Sequence, residues 1–393
     1  MINTQPIKLT KSTFFDESAT KELLVKFICD SSILSMGEQT KKFEELFAQK
    51  QARKYAVFVN SGSSANLIVL QALLNIGKIK KGARIGVSAL TWATNVMPIF
   101  QLGLIPVALD CELDTLNVSS KILTESINTI DALFITNVLG FCDDLPKIKE
   151  LCEDNDVLLL EDNCEALGSR INGTNLGNFG LASTFSFFVG HHMSTIEGGM
   201  VVTDDESLYY AFVMSRAHGW DRQLPSSVAT SLRQEHKVED FFGRYMFYDL
   251  AYNFRPTDIQ GFIGTTQIGH WDAIVEKRQK NFFELMSVVR DNQKLCTSRV
   301  SHMDIVSNFA VPLVFKDAAN FVRCRDFFIK NAVEIRPIIA GNITRQPFYK
   351  KYSTESRALV HSDHVHQNGF YFGNNPDLTQ EEMNVLKNLL ATI

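Results

Sequence analysis

The sequence predicts an α/β protein in which a large domain with a mainly parallel sheet precedes a smaller α/β domain. Short apolar runs alternate with helical stretches from Tyr55 onward, and this alternation is typical of a parallel sheet. The alternation changes after residue 257, where long helical spacing begins. A chain of 393 residues also suits two domains better than one core. We therefore expect an N-terminal arm at 1–35, a large domain at 36–260 and a small C-terminal domain at 261–393.

The arm and the large domain show their elements in order. The arm holds one predicted helix, ESATKELLVKFI. Buried strands are then predicted at YAVFV, RIGVS, IPVALD, ALFITN and DVLLLED, with helices at NLIVLQALL, ATNVMPIFQLG and LPKIKELCEDN. Further along, SFFVGHHMSTIEGGM (186–200) has the pattern of a strand end, a polar loop and a glycine turn into another strand. Ligands of such sheets bind where strands end and helices begin, so we expect the functional residues there.

The small domain begins with a long helical pattern. The stretch DIQGFIGTTQIGHWDAIVEKRQKNFFELMSVVRDN contains no proline and predicts one long helix, with its glycines as the points where it would kink. The predicted elements that follow are a strand at NFAVPLVF, a helix at DAANFVRCRDFFIKN, a strand at VEIRP and a terminal helix at TQEEMNVLKNLLATI.

Composition excludes several classes of function. The formal net charge of −5 and the lack of a basic block argue against nucleic acid or an anionic membrane as partner. No apolar stretch approaches the roughly 20 residues that span a bilayer, and the N-terminus has no signal-peptide pattern, so we expect a cytoplasmic protein. The seven cysteines include no C-x-C or C-x-x-C pair, which argues against a disulfide framework and against a cysteine-bound zinc or iron–sulfur site.

A glycine–serine turn follows the first predicted strand. In VNSGSSAN (59–66) the strand ends and a helix begins, and the free N–H groups of a helix start favour an anion. The functional interpretation is a phosphate cup formed by Gly62, Ser63 and Ser64. The alternative is a serine that only caps an ordinary helix.

Two more strand ends carry candidate ligand groups. VLLLEDNCEALGS (157–169) places Glu161 and Asp162 at a strand end, where an aspartate can keep a pyridine nitrogen protonated, although an acidic loop is the simpler explanation. TWATN (91–95) places an aromatic residue where it can stack on a planar ring, although such an aromatic is more often part of the core.

The stretch YDLAYNFRPTDIQ (248–260) precedes the long helical pattern. It combines aromatic residues with Asn253 and Arg255. Two interpretations remain open: these groups reach the site of a neighbouring subunit, or they only cap the helix.

Taken in order, SGSSANL, TWATN, EDNCEALGS, SFF…EGGM and YNFRPTDIQ resemble the sugar aminotransferase superfamily. The resemblance extends over nearly the whole chain. It implies fold type I of the pyridoxal phosphate (PLP)-dependent transferases, the fold of aspartate aminotransferase, and action on nucleotide-linked keto sugars. It also implies a homodimer with shared active sites.

The resemblance assigns cofactor-binding roles to a set of residues. They are Gly62, Ser63, Trp92, Asp162, Glu165, Ser186 and Asn253. Among them, Trp92 would stack on the cofactor ring, Asp162 would pair with the ring nitrogen, and Glu165 would lie near the ring hydroxyl. The others would hold the phosphate, with Asn253 supplied by the second subunit.

Position 191 departs from the aminotransferases. In those enzymes it is the lysine that bonds covalently to the cofactor, whereas SFFVGHH places His191 there. No lysine occurs between Lys149 and Lys237 to replace it. An imidazole cannot form that bond, but it can move protons near neutral pH. We therefore expect a non-covalently held cofactor, with His191 as the catalytic base.

Two features narrow the resemblance to the nucleotide-sugar 3-dehydratases of 3,6-dideoxysugar biosynthesis. They are the pair GHH and the segment GNITRQP (341–347), which EIRP precedes. Expected substrate contacts come from His218, Arg255, Arg336, Asn342 and Arg345. One branch of this subgroup carries a cysteine-ligated iron–sulfur cluster and needs a partner reductase. The stretch LPSSVATSLRQEHKVEDFFGR contains no cysteine, so the chain resembles the other branch, which acts on GDP-4-keto-6-deoxymannose in the colitose pathway of O-antigen lipopolysaccharide biosynthesis.

The resemblance also implies a reaction. L-Glutamate would supply an amino group that converts PLP to pyridoxamine phosphate (PMP), and the C3 hydroxyl of the 4-keto sugar would then leave as water while His191 moves a proton. Two alternatives stay open: an ordinary sugar aminotransferase that uses a distant lysine such as Lys237, and a non-catalytic member that binds sugar or cofactor.

Several histidines have simpler explanations beside the functional ones. His192 either orients its neighbour or takes part directly, and His218 either meets the sugar or packs in its loop. The spacing of His361, His364 and His366 would suit a metal, but we expect no metal site.

Overall fold

A seven-stranded sheet lies at the centre of the computed structural model, which describes residues 6–355 and 357–393. The strands of the described residues are β1 (Tyr55–Val59), β2 (Arg84–Ser88), β3 (Ile105–Leu109), β4 (Ala132–Thr136), β5 (Leu158–Asp162), β6 (Arg170–Ile171), β7 (Thr174–Asn175), β8 (Ala182–Ser186), β9 (Gly199–Thr203), β10 (Ala310–Val314), β11 (Ile335–Pro337) and β12 (Gly369–Gly373). The large sheet has the order β1-β9-β8-β5-β4-β2-β3. Only β9 runs against the other strands of this sheet, so the sheet is mainly parallel, as predicted.

Helices cover the sheet and connect its strands. The α-helices of the described residues are α1 (Glu17–Asp30), α2 (Glu38–Gln51), α3 (Gly62–Asn75), α4 (Ala93–Gln101), α5 (Ser120–Thr124), α6 (Leu145–Asp154), α7 (Glu206–Arg216), α8 (Ser226–Glu235), α9 (Asp240–Gly243), α10 (Asp258–Gln267), α11 (Trp271–Val289), α12 (Ala318–Lys330), α13 (Pro347–Tyr352), α14 (Val360–Asn368) and α15 (Gln380–Thr392). The predicted helix of the arm is confirmed as α1, and the predicted helices of the large domain as α3, α4 and α6.

A second, smaller sheet follows α11. Its order is β10-β12-β11, and both of its pairings are antiparallel. Tyr371 on the central strand pairs with Pro312 on one side and with Arg336 on the other. The predicted strands NFAVPLVF and VEIRP are therefore confirmed, whereas the central strand β12 was not predicted.

The long helix predicted after residue 257 is interrupted at one of the glycines where a kink was expected. The structure has two helices, α10 and α11, joined by a 3₁₀ turn at Ile268–His270. Gly269 lies in this turn, and glycine is a weak helix former, so the tighter 3₁₀ geometry replaces the α-helix there.

One hydrophobic cluster joins the two sheets. Leu133 of β4, Phe282 of α11, Val311 of β10 and Phe372 of β12 are all fully buried in it. Each such side chain contributes about 1.5–3 kcal/mol on burial, so the two sheets hold a fixed relation across their shared cluster. The predicted domain boundary near residue 260 stays a prediction. Within the described ranges, no helix combines the length and apolar character needed to cross a membrane.

Candidate active site

A cavity of about 370 Å³ opens at the carboxyl edge of the large sheet. Strands β4, β5 and β8 end at it with Thr136, Asp162 and Ser186, and the small sheet closes its other side with Tyr371. Ligands of parallel sheets bind at this edge. The cavity brings together several residues singled out from the sequence: Gly62, Ser63, Trp92, Asp162, Glu165, Ser186 and His191.

The start of α3 forms one wall of the cavity. A Cβ on Gly62 would lie 2.6 Å from Cβ of Ser186, so helix and strand approach so closely that only glycine fits without movement. The helix start presents free N–H groups and the positive end of the helix dipole at this wall. An anionic group bound here would meet Gly62, Ser63 and the hydroxyl of Ser186.

The capping residue of α3 is Ser61. Its hydroxyl oxygen accepts a hydrogen bond from the N–H of Ser64 at 3.1 Å. The Ser64 hydroxyl donates to Oδ1 of Asn60 at 2.6 Å, and Ser64 does not line the cavity. The prediction that Ser64 takes part in the phosphate cup is therefore wrong, because its hydroxyl is used within the turn, while the capping explanation holds for Ser61.

Asp162 is buried and rigidly held at the end of β5. Its Oδ2 accepts from Nδ2 of Asn95 at 2.7 Å and from Nδ2 of Asn66 at 3.0 Å. Its Oδ1 accepts from the N–H of Cys164 at 2.8 Å. Three donors thus fix one carboxylate that lines the cavity. The two asparagines were not predicted as site residues, although they end the motifs SGSSAN and TWATN.

Glu161, the neighbour of Asp162, faces away from the cavity. Successive residues of a strand point to opposite faces, so the two acidic side chains separate. The Glu161 carboxylate is fully buried and accepts from the N–H groups of Gly177, Phe179 and Gly180, each at 2.8 Å. Glu161 is therefore a structural clamp for the 177–180 turn.

Glu165 lines the cavity with an unusual protonation preference. Burial raises the pKa of its carboxyl to about 8, and the nearby negative charge of Asp162 acts in the same direction. A hydrogen bond from the N–H of Leu139 at 2.9 Å opposes the shift. Near neutral pH Glu165 is therefore mostly protonated, and it can donate a hydrogen bond into the cavity.

His191 lies in the cavity between two aromatic rings. Its ring meets Phe309 edge-on at 5.4 Å and Phe188 at 5.9 Å between ring centroids. Burial lowers the pKa of the imidazole to about 4, while Asp162 opposes this shift. Its Nδ1 is buried and has no hydrogen-bond partner among the described residues. A neutral imidazole at a cavity wall can accept a proton.

His192 lies behind the loop and lines no part of this cavity. Its Nε2 is 2.8 Å from the carbonyl oxygen of Ser307, so Nε2 carries the hydrogen and donates it. Burial lowers the pKa of this imidazole well below the usual value. The contact supports the interpretation that His192 orients its neighbour.

Two predicted substrate residues are engaged elsewhere in the small domain. Nδ2 of Asn342 and Nε of Arg345 both donate to Oδ1 of Asp363, at 2.7 and 2.6 Å. Asn342 is buried and neither residue lines the cavity, so their observed contacts are structural, and a role toward substrate stays a prediction. Arg336 differs, because it lines a neighbouring cavity of about 410 Å³ that shares Trp92 and other residues with the first.

The remaining predicted residues lie on an exposed surface outside the cavity. Nε of Arg255 donates to Oδ1 of Asn253 at 2.9 Å, and the His218 ring packs against Trp220 at 4.6 Å. Arg255 also lies over the Trp220 ring, which stacks on Phe247, and Phe247 is 57% exposed. Large exposed apolar side chains of this kind are typical of a protein–protein interface.

The other histidine cluster is structural. Nδ1 of His361 lies 2.7 Å from the carbonyl oxygen of Cys111, and Nε2 of His364 lies 2.9 Å from that of Phe315. Across the described part of the chain, no group of three or more His, Cys, Asp or Glu side chains is arranged to hold a metal ion.

The large mixed sheet, the small sheet packed over its carboxyl edge and the cavity between them define fold type I, the aspartate aminotransferase fold. The chain belongs to the DegT/DnrJ/EryC1/StrS aminotransferase family, whose model matches residues 16–390. The family predicted from the motifs is thereby confirmed.

Named relatives extend along the whole chain. The protein is 34% identical to GDP-4-keto-6-deoxy-D-mannose 3-dehydratase of Yersinia pseudotuberculosis, over 96% of this chain and 97% of that protein. The solved structure of E. coli GDP-4-keto-6-deoxy-D-mannose-3-dehydratase with bound hydrated PLP superposes with a TM-score of 0.89, at 31% identity, over 99% of this chain and 100% of the other. A structure of such a dehydratase with a trapped PLP–glutamate geminal diamine gives a TM-score of 0.88, at 30% identity, over 97% and 99% of the two chains.

Proposed function

We propose that the protein is a glutamate-driven, PLP/PMP-dependent 3-dehydratase of a nucleotide-linked 4-keto-6-deoxyhexose, with GDP-4-keto-6-deoxymannose as substrate. The observation that carries the proposal is the imidazole of His191 at the cavity wall, while the described lining residues include no lysine. The names of the relatives support the same reaction and the same nucleotide.

The residues present fit a phosphorylated pyridine cofactor. Gly62 lets the helix start approach Ser186 closely, so the N–H groups of the helix start and the Ser186 hydroxyl suit one phosphate. Asp162 supplies a fixed carboxylate for a ring nitrogen. Trp92 is 58% exposed at the cavity mouth, where it is free to cover a planar ring. When bound, the cofactor supplies an electron sink and carries the amino group that glutamate provides.

The protein's own groups then divide the work of proton transfer. His191 is neutral because of its burial, so the unprotonated nitrogen of its imidazole accepts a proton and returns it. Glu165 keeps its proton at neutral pH and donates a hydrogen bond to an oxygen in the cavity. Phe188 and Phe309 hold the imidazole between them and exclude water from it.

The substrate and the partner subunit complete the proposal. Arg336 in the neighbouring cavity offers a cation for the diphosphate of the nucleotide sugar. The exposed aromatic surface near Asn253 suits a second copy of the chain, so we propose a cytoplasmic homodimer in which Asn253 reaches the partner's phosphate site. No reductase partner is needed, because glutamate supplies the electrons.

The alternative of a sugar aminotransferase would need a lysine in the cavity. Lys237 is exposed and lines neither cavity of this chain. The two reactions give different products. A dehydratase releases ammonia and a sugar in which hydrogen has replaced the C3 hydroxyl, whereas an aminotransferase retains that hydroxyl and replaces the C4 ketone oxygen with an amino group.

One assay tests the proposed function. The enzyme is incubated with PLP, L-glutamate and either GDP-4-keto-6-deoxymannose or a CDP-4-keto-6-deoxyhexose. The masses of the sugar products are measured by mass spectrometry, and released ammonia is assayed in parallel. We expect loss of the C3 hydroxyl from the GDP sugar. The variant His191→Asn should still bind cofactor but should no longer release water; dehydration retained in this variant would disprove the role of His191.

A further inference from the structure

Arg278 is a buried cation behind the active-site loop, and the proposed reaction gives it no role. It lies on α11, is 2% exposed and, like Arg336, borders the neighbouring cavity of about 410 Å³. Among the described residues no carboxylate forms a salt bridge with it, although Asp377 is near enough to act on its charge. Burial without a close counterion lowers the pKa of the guanidinium to about 9. Burying a cation without a close counterion destabilises the fold, so a buried arginine of this kind indicates a specific structural or functional role.

The guanidinium donates to main-chain carbonyl oxygens from separate parts of the chain. Its Nη1 donates to Asn374 at 2.7 Å, to Phe309 at 3.0 Å and, at 3.4 Å, to Asn308. Its Nη2 donates to the carbonyl oxygen of His191 at 3.3 Å. The planar, five-donor guanidinium is the side chain that can reach several acceptors in fixed directions.

Two of these carbonyls belong to residues that touch each other at the cavity wall. Arg278 holds the backbone of His191 and the backbone of Phe309, and the rings of these two residues pack at 5.4 Å. Arg278 therefore holds both His191 and the Phe309 ring that packs against its imidazole, although His191 and Phe309 lie far apart in the sequence.

The surrounding network locks Arg278 itself in place. Nδ2 of Asn374 donates to the carbonyl oxygen of Arg278 at 2.9 Å and to Oδ1 of Asn308 at 2.5 Å. Next to this segment, His192 donates to Ser307. The small domain thus provides a rigid polar cradle directly behind the active-site loop.

We propose that Arg278 is a positioning residue: by binding the carbonyls of His191 and Phe309 together, it holds the His191 imidazole at the cavity wall in the orientation that proton transfer needs. The catalytic consequence rests on the proposed function, whereas the geometric one does not.

The charge of Arg278 has a second effect on the same imidazole. It adds to burial in lowering the pKa of His191, so it helps to keep the base neutral. Asp162 and the carbonyl of Ser186 act in the opposite direction. The charged and titratable groups that surround His191 are Asp162, Cys164, Glu165, Glu197 and Tyr371 in the cavity and His192, Arg278 and Asp377 behind the loop.

The test uses two variants of Arg278 and one matched control. Arg278→Lys keeps a positive charge but loses the planar guanidinium with its five N–H donors. Arg278→Gln loses the positive charge as well. The control is Arg53→Lys, because Arg53 is also buried, with a side chain 6% exposed, and also donates to a main-chain carbonyl, that of Gly180 at 2.7 Å, outside the cavity.

Two readouts are measured on each protein. The first is the kcat and KM of the glutamate-driven dehydration. The second needs no cofactor: the cofactor-free protein is treated with diethylpyrocarbonate, which reacts with neutral imidazoles, and the modification rate of His191 is followed against pH by peptide mass spectrometry.

We expect Arg278→Lys to lower kcat by about 10²-fold, the usual consequence of a catalytic group displaced by about 1 Å. The KM values for glutamate and sugar should stay within about twofold, because the hydrogen bonds of the guanidinium go to main-chain carbonyls rather than into the cavity. In Arg278→Gln the pH midpoint of His191 modification should rise, while Arg53→Lys should behave as wild type in both readouts.

Several results would overturn the proposal. An unchanged kcat in Arg278→Lys would do so, and so would a raised KM for glutamate at constant kcat, which would make Arg278 a carboxylate-binding residue. An unchanged pH midpoint of His191 modification in Arg278→Gln would also contradict it.

If neither Arg278 variant folds, Phe309→Leu replaces them. A lowered kcat at constant KM in Phe309→Leu supports the proposal, and a wild-type kcat refutes it. If the wild-type enzyme itself releases no water, the proposed function fails, and the modification midpoint still decides the role of Arg278.

Discussion

The substitution Gly62→Ala should weaken cofactor binding far more than it weakens the fold. Gly62 is the first residue of α3, and its added Cβ would lie 2.6 Å from Cβ of Ser186, 3.0 Å from Oγ of Ser186 and 3.1 Å from Sγ of Cys164. Carbon atoms in contact normally stay about 3.5–4.0 Å apart, so helix and strand must separate by about 1 Å.

The two effects on stability partly offset each other and leave a loss of at most about 2 kcal/mol. Overpacking of this kind costs about 1–3 kcal/mol, and the better helix propensity of alanine offsets up to about 1 kcal/mol of that. Cofactor affinity has no such compensation, because the displaced helix start carries the N–H groups that face the bound phosphate. Loss of one hydrogen bond to a charged group costs about 1.5–3 kcal/mol, which raises the cofactor Kd by about 10–100-fold.

The assay is a titration of the cofactor-free protein with PLP, followed by absorbance and checked by equilibrium dialysis. Gly269→Ala is the matched control, since a Cβ there meets nothing within 4 Å and the residue lies in the turn before α11. Wild-type PLP affinity in Gly62→Ala would refute the assignment of the helix start as the phosphate site. Equal weakening in the control would show that the effect is not local.

Three further predictions concern protonation and stability. Because burial lowers the pKa of His191 to about 4, kcat/KM should stay high as pH falls through the ordinary histidine value of about 6.5; a fall there would contradict a buried neutral base. Because the pKa of Glu165 is raised to about 8, kcat/KM should decline above that pH. Glu165→Gln keeps a neutral hydrogen-bond donor, so the decline should disappear in this variant. An identical decline in the variant would exclude Glu165 as the donor. Glu161→Gln should lower the free energy of unfolding in urea by about 2–4 kcal/mol, since its amide group would face N–H donors of the 177–180 turn, and an unchanged value would contradict the clamp.

Much of the fold follows from local sequence pattern. The parallel strands are short buried runs between helices, and the chain itself marks their ends with Asp162, Ser186 and the turn at Gly62. The rule that ligands bind at the carboxyl ends of parallel strands then predicts from sequence alone that these residues share one cavity. The glycines of the long helical stretch were expected to weaken it, but a glycine in a helical pattern does not say whether the helix bends or ends.

What the sequence could not reveal are contacts between distant segments. Asn66 and Asn95 meet on Asp162 only because α3 and α4 start beside the same strand end. Arg278 looks like an ordinary helix residue, and its position behind His191 depends on how the small domain docks. Likewise, nothing in the local pattern of Asn342 predicts its bond to Asp363.

The central claim is that the cofactor is held without a covalent bond because His191 replaces the lysine of the aminotransferases. The most direct measurement is the intact mass of the PLP-loaded enzyme after borohydride reduction and denaturation, with His191→Lys as the positive control. We predict that the wild-type chain keeps its unmodified mass while the lysine variant gains the mass of the reduced cofactor. A wild-type chain that carries the cofactor after this treatment would contradict the account.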